Sequence, residues 1–190
     1  VTIYVNKKRK VQLALEPEQT TQSSTKKKNI AKDTEEREKG RRKKKILITG
    51  SGSYVGTSVE AWLRQWPEYY QIETLDMRTQ IWRTHDFSAY DVVYHWRDMD
   101  FSEYDIIYHV AGIAHADVGH VSEEIKEKYY AVNTDLAVET AEKAKKEGVQ
   151  QFLFMSSMIV YSGCREKKIT KNTIPKPLNF YGDSKWQAGQ

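Results

Sequence analysis

A chain of 190 residues has room for one well-filled core and is short for two full domains. An apolar content of 39% with 12 tyrosines fits a globular protein, and the lone Cys164 excludes an internal disulfide, which points to a reducing, cytoplasmic setting. No apolar run reaches membrane-spanning length and no signal-peptide core precedes a small-residue cleavage site, so a soluble protein is expected.

The formal charge of +4 is unevenly spread. Residues 1–45 carry 15 Lys/Arg against 6 Asp/Glu, a net of +9, and the remainder carries 15 against 20, a net of −5. The basicity therefore belongs to a leader. Val1 to Val5 alternates like a short strand and Val11 to Leu15 is a second apolar scrap, but Lys7 to Lys10, Lys26 to Lys28 and Arg41 to Lys45 repel themselves. Such runs bury too little apolar area to offset chain entropy, so residues 1–44 read as a basic, low-complexity, disordered or irregular tail. Lys7 to Lys10 also fits a polyanion-binding patch, although a solvated extension is the stronger reading. The initial Val suggests that the true start lies elsewhere and that the tail is an appended segment.

From Lys45 the pattern is regular. Residues 45–49 form an apolar β-rich strand, and 54–65 alternate at helical spacing with Val55, Val59, Trp62 and Leu63. Gln71 to Leu75 is a second strand ending at Asp76, and Asp105 to Val110 is a third. A long helix from Glu123 to Glu147 is bounded by Ser122 as N-cap and Gly148 as C-cap. Gln151 to Met155 is the next strand, and a loop from Ser162 to Leu178 precedes a helix with Tyr181 and Lys185. Strands separated by helices predict right-handed βαβ crossovers and a doubly wound parallel sheet, an α/β domain over residues 45–190.

One segment breaks this order. Residues 82–95 are followed at once by 96–109, and nine of the fourteen positions match. A single tandem duplication is the reading, since solenoids need longer units and at least three copies. The second copy is joined to Ala111-Gly112 and is expected in the sheet, with the first bulging out or adding irregularly nearby.

Two constellations carry chemistry. After the first strand comes Gly50-Ser51-Gly52-Ser53-Tyr54-Val55-Gly56, opening a helix. Phosphates need backbone N–H groups at close range and a helix N-terminus, which glycines permit. Asp76 ends the next strand twenty-six residues after Gly50, where a carboxylate accepts from an adenosine ribose and repels a 2′-phosphate, favouring NAD over NADP. A turn-capping Asp is the plainer alternative.

The second constellation is Tyr181 and Lys185, one helical turn apart. A free phenol titrates at roughly 10, too high for a base at neutral pH, and a fixed ammonium stabilises the phenolate. Ser156-Ser157, just past an apolar strand, places a hydroxyl where such sheets bind ligands. The Tyr/Lys pair alone fits many solvated helices.

The ordered set of Thr49 to Gly56, Asp76, His109-Val110-Ala111-Gly112, Asn133, Ser156-Ser157 with Val160-Tyr161, and Tyr181/Lys185 closely resembles the extended short-chain dehydrogenase/reductases. More narrowly it is similar to the NAD-dependent epimerase/dehydratase group acting on nucleotide sugars. The resemblance covers residues 44–190 and implies a Rossmann-like fold with NAD as cofactor. It further implies that Gly50, Ser53, Tyr54, Val55 and Gly56 wrap the pyrophosphate. Asp76, with Met77 beside it, would hold the ribose, and Asp100-Phe101 would flank the adenine. Val110, Ala111 and Gly112 would line the cofactor's path and Asn133 would support the site. Ser157, Tyr181 and Lys185 would be the catalytic residues, with Lys185 also reaching the cofactor.

Departures are present. Ser53 stands where the family has a glycine, and Ser162 precedes Gly163 where the glycine would follow Val-Tyr. Asp86-Phe87 competes with Asp100-Phe101 for the adenine role. The family's C-terminal substrate lobe has no counterpart, which reads as a truncation. The function implied is a nucleotide-sugar 4-epimerase that oxidises and re-reduces a sugar hydroxyl. A 4,6-dehydratase fits less well, because Met158-Ile159 stands where its Asp-Glu pair follows the serine. An inactive remnant and an NAD-binding sensor stay open as alternatives. Expected partners are a nucleotide sugar and, by family habit, a second copy in a homodimer. No membrane partner is expected, and nucleic acid is confined to the basic tail. His115, Asp117 and His120 suggest a loop metal site only weakly, so no metal is expected, although His115 could sit near the substrate mouth.

Overall fold

The computed structural model describes residues 2–5, 42–78, 81–83, 90–92, 95–114 and 121–190. A seven-stranded sheet organises them. We number its strands β1 (Thr2–Val5), β2 (Lys44–Thr49), β3 (Tyr70–Asp76), β4 (Ile81–Arg83), β5 (Tyr90–Val92), β6 (Ile106–His109) and β7 (Gln151–Met155). The helices are α1 (Tyr54–Leu63), α2 (Glu123–Tyr130), α3 (Leu136–Lys146) and α4 (Phe180–Gln187). The spatial order is β1-β7-β6-β2-β3-β4-β5.

The four middle strands, β7, β6, β2 and β3, are parallel, as their intervening helices require. Leu47 and Ile107 point to one side, where they meet Leu75, Phe101, Tyr104 and Ala144 of α3. Ile46 and Ile48 point to the other, where Ile72, Val59 and Leu63 of α1 close the second core. The domain is therefore a Rossmann-like, doubly wound α/β fold.

Both sheet edges depart from the expected parallel order. Only a short connection, residues 77–80, separates β3 from β4. That length permits a hairpin and no crossover, so β4 runs antiparallel, and β5 adds beyond it in the opposite sense. Of the two like segments, the second supplies β6 in the sheet centre and the first supplies β5 at the far edge. At the opposite edge β1 pairs antiparallel with β7, Ile3 opposite Phe154. Four residues of the basic leader thus join the sheet, and residues 6–41 lie outside the described chain.

Arg42 and Lys44 are tied to the base of the sheet as well. The Asp105 carboxylate, 1% exposed, accepts from Arg42 Nη2 at 2.6 Å, Lys44 Nζ at 3.3 Å and the Lys45 amide at 2.9 Å. Burial raises the Asp105 proton affinity, and these donors outweigh it, so the group stays below the usual carboxylate value.

The inward stripe of α1 is Gly56, Val59, Glu60 and Leu63, so Val55 and Trp62, which share the helical spacing, turn outward. Gly56 decides this rotation, because a Cβ there would meet Gly50 O at 2.4 Å and only the glycine face can press against the turn. Trp62 packs instead on Trp66, ring centroids 6.4 Å apart. The long helix starts at Ser122, whose Oγ accepts from the Ile125 amide, and ends before Gly148 at φ +84°. It is interrupted by a π turn over Ala131–Asp135.

Candidate active site

The strand connections reverse between β2 and β6. The chain winds outward one way through β3 and the other way through β7, which opens a crevice at the carboxyl ends of these two strands. Two turns meet there. Gly50, at φ +76°, lies so close to the second turn that a Cβ would stand 2.6 Å from the Ala111 amide nitrogen. The glycine-rich loop and Val110 to Gly112 therefore form one floor.

Ser53 caps α1, its Oγ accepting from the Gly56 amide at 3.0 Å. The expected Ser-for-Gly departure thus has a local use. Tyr54 and Val55, exposed at the helix start, keep first-turn N–H groups without intrahelical partners. Asp76 stands over this loop: a Cβ on Gly52 would be 3.2 Å from its Oδ2, and its Oδ1 accepts from the Arg78 amide at 2.9 Å. Met77 turns toward the core beside it.

Helix α4 comes to the same crevice from the β7 side. Its N-cap Asn179 accepts from the Gly182 amide at 2.8 Å. Lys185 is 4% exposed, and a Cβ on Gly112 would be 2.7 Å from its Nζ. Gly112 itself is exposed, so the buried ammonium lies just behind an exposed stretch of backbone. Burial lowers the ammonium's affinity for its proton to about 8. Tyr181 lies one turn earlier and meets Tyr129 edge-on at 6.0 Å, while Phe180 meets the same ring at 4.8 Å.

Asn133 sits wholly buried in the π turn. Its Oδ1 accepts from the Ile113 amide at 2.8 Å, and its Nδ2 donates to Ile113 O at 3.0 Å and Ser184 Oγ at 3.2 Å. One amide thus ties the loop after Gly112 to α4. A π turn re-aims a side chain within a helix, which explains how a long helix delivers Asn133 to the loop. Ser157 accepts from the Ile159 amide at the start of a 3₁₀ turn over Met158–Tyr161, and Gly182 of α4 abuts that turn. Ser157 and Tyr181 are accordingly carried by two elements in contact.

One assignment is corrected. Phe101 is fully enclosed among Trp96, Tyr104 and Leu47, and its amide donates to Glu147 Oε2 at 2.6 Å. Asp100 caps its own turn through the Ser102 amide at 2.8 Å. This turn adjoins the start of β2, where Lys45 meets Glu103, roughly 17 Å from the glycine loop at a strand rise near 3.3 Å. The short link to β6 forces this placement, so Asp100 and Phe101 cannot flank an adenine. Asp86-Phe87, His115, Asp117 and His120 lie outside the described residues. Among the described residues no three His, Cys, Asp or Glu side chains could hold a metal ion.

The sequence reading placed His109 at a strand end within the motif and gave it no role of its own. It is wholly buried, its Nδ1 lies 3.0 Å from Thr49 Oγ1, and its Nε2 has no hydrogen-bond partner among the described residues. Burial, and then the nearby Lys185 charge, pull it down to about 3, so it is neutral. The alternation Ile107-Tyr108-His109 was the available signal, since it turns the imidazole to the same face as Ile107.

Fold and crevice together define a Rossmann-like α/β domain whose ligand site lies at the switch point of the sheet. The sequence matches the family described as the RmlD substrate binding domain over residues 44–190, and the chain belongs to that family. No curated protein sequence matches it. Its structure is similar to UDP-glucuronic acid 4-epimerase from Bacillus cereus in complex with NAD: 20% identity, TM-score 0.56, covering 76% of this chain and 50% of that one. A short-chain dehydrogenase/reductase superfamily protein from Agrobacterium tumefaciens with bound NAD matches at 24% identity and TM-score 0.57, covering 76% and 42%. ADP-L-glycero-D-manno-heptose-6-epimerase from Helicobacter pylori matches at 19% and 0.55, covering 77% and 49%. These likenesses establish the fold, and the chain spans about half the length of the structures it matches.

Proposed function

We propose that this chain is the NAD-binding part of a short-chain dehydrogenase/reductase acting on a nucleotide sugar, with 4-epimerisation as the reaction. The observation that carries the reading is the buried Lys185 ammonium, which lies directly behind Gly112: a Cβ there would stand 2.7 Å from its Nζ. The structures it resembles include a UDP-glucuronic acid 4-epimerase and a relative with bound NAD.

The residues fit such a cofactor. Gly50, Gly52 and Gly56 stand where a Cβ would close the turn, and the Tyr54 and Val55 amides are free for a pyrophosphate. Asp76 beside that loop would accept from ribose hydroxyls. Bound NAD would supply hydride acceptance and return. Tyr181 takes the proton from the sugar hydroxyl and gives it back, while Lys185 stabilises its phenolate. Ser157 would hold the substrate oxygen, and Asn133 fixes the loop that carries Gly112. Lys185, at about 8, is still largely charged near neutral pH, as this role requires.

Turnover of UDP-glucuronic acid, UDP-glucose and UDP-N-acetylglucosamine tests the proposal, alongside NAD titration by calorimetry. Tyr181→Phe should lower kcat by about 10²–10⁴-fold with NAD affinity retained. NAD binding without turnover of any of the three would favour a sensor, and no binding would favour a remnant.

A further inference from the structure

The Lys185 ammonium is buried, and no carboxylate among the described residues forms an ion pair with it. An isolated buried ammonium is costly, so some group must favour its charge. Its nearest electron-rich surface is the ring of Phe154, whose centroid lies 4.9 Å below Nζ. Phe154 is itself 5% exposed, so the contact is screened from water. We propose that Phe154 is a positioning residue for Lys185, its ring face serving as the counter-group that holds the ammonium against Gly112.

The ring's own seat is fixed. Phe154 of β7 stands opposite His109 of β6 in register, and the two rings lie 6.2 Å apart at 32°. His109 also stacks on Phe152 at 5.8 Å, and Thr49 holds its Nδ1. This arrangement works only with His109 neutral, because a second cation on the same aromatic stack would repel the first. The low value of about 3 for His109 agrees. Around Lys185 the other polar groups are Asn133 from the π turn, Tyr181 on its own helix, and Asp183, which is engaged by Tyr130 at 2.7 Å and Gln187 at 2.7 Å. Asp183 keeps its charge, since both of its partners are neutral, but it forms no ion pair with Lys185, and the other two groups are uncharged side chains.

The inference concerns the lysine on which the proposed catalysis rests, yet it is testable without cofactor or substrate. The Lys185 side-chain resonance can be followed against pH by NMR in the 190-residue chain with labelled lysine, with Lys185→Met giving the assignment. The wild-type midpoint should lie near 8. Phe154→Leu, which removes the π face, should lower it by about one pH unit, and Phe154→Tyr should restore it. Site-specific mono-, di- and trifluorophenylalanine at position 154 keep the shape and weaken the ring face, so they serve even if the Leu variant unfolds. A stepwise fall of the midpoint with fluorination supports the proposal; a flat series overturns it. An inactive chain with a falling midpoint would refute the catalytic reading alone, and an active one with a flat series would refute this inference alone.

Discussion

At the scale of single residues, Lys185 opposes stability and function. Its folded value of about 8 lies below the ordinary 10.5, so between these values the unfolded chain binds a proton that the folded chain lacks. Stability should therefore rise from pH 8 to 10.5, and at neutral pH the buried charge carries its full cost. Lys185→Met should stabilise the fold at pH 7 by about 1–3 kcal/mol in urea denaturation and remove most of that alkaline gain. An unchanged stability at pH 7 would contradict the cost assigned to burial. Two glycines differ in kind. Gly56→Ala drives a Cβ into the backbone oxygen of Gly50, whereas Gly112→Ala meets side-chain atoms only, Lys185 Nζ and then Asn133 Oδ1. The first should cost about 3 kcal/mol and the second about 1 kcal/mol, an order that thermal denaturation can check.

Among the elements, the two like segments show how position outranks sequence. Tyr90–Val92 and Ile106–His109 come from the two like segments and overlap in the repeat only at Val92 and Ile106, yet β6 is paired on both sides and β5 on one. Amides of β6 should exchange with deuterium far more slowly than those of β5, because edge hydrogen bonds open without global unfolding. Equal protection would mean that both segments share the centre. Much at this scale is legible in sequence. The glycine turn, Asp76, the Ser122 and Gly148 boundaries and the apolar strands follow local rules that act within a few residues. The adenine pair did not follow such rules. The Asp-Phe pair looks the same in either copy, and only the four-residue link from Phe101 to β6 sends Asp100-Phe101 to the base of the sheet. The outward face of Trp62 is likewise invisible locally, because helical spacing fixes a stripe and the Gly50–Gly56 contact selects which stripe turns in.

For the molecule as a whole, charge and architecture separate. The leader carries the net positive charge of the chain, while its last residues, Arg42 and Lys44, fasten to Asp105 at the end of the sheet away from the crevice. On the proposed reading, NAD binds only the folded state and should raise stability by about 2.7 kcal/mol at a hundredfold excess over Kd. NADP should do markedly less, since Asp76 would face its 2′-phosphate. Thermal shift with both cofactors checks this, and an equal response would remove Asp76 from the ribose site.

The sequence alone determined the alternation of strands and helices, the dinucleotide-type turn and the Tyr/Lys pair, since each depends on residue types at short, fixed spacing. The tertiary structure decided which copy fills the sheet, where Phe101 lies, and what surrounds the Lys185 ammonium. Those answers depend on contacts between segments far apart in the chain, such as β6, β7 and α4, and no local spacing encodes them.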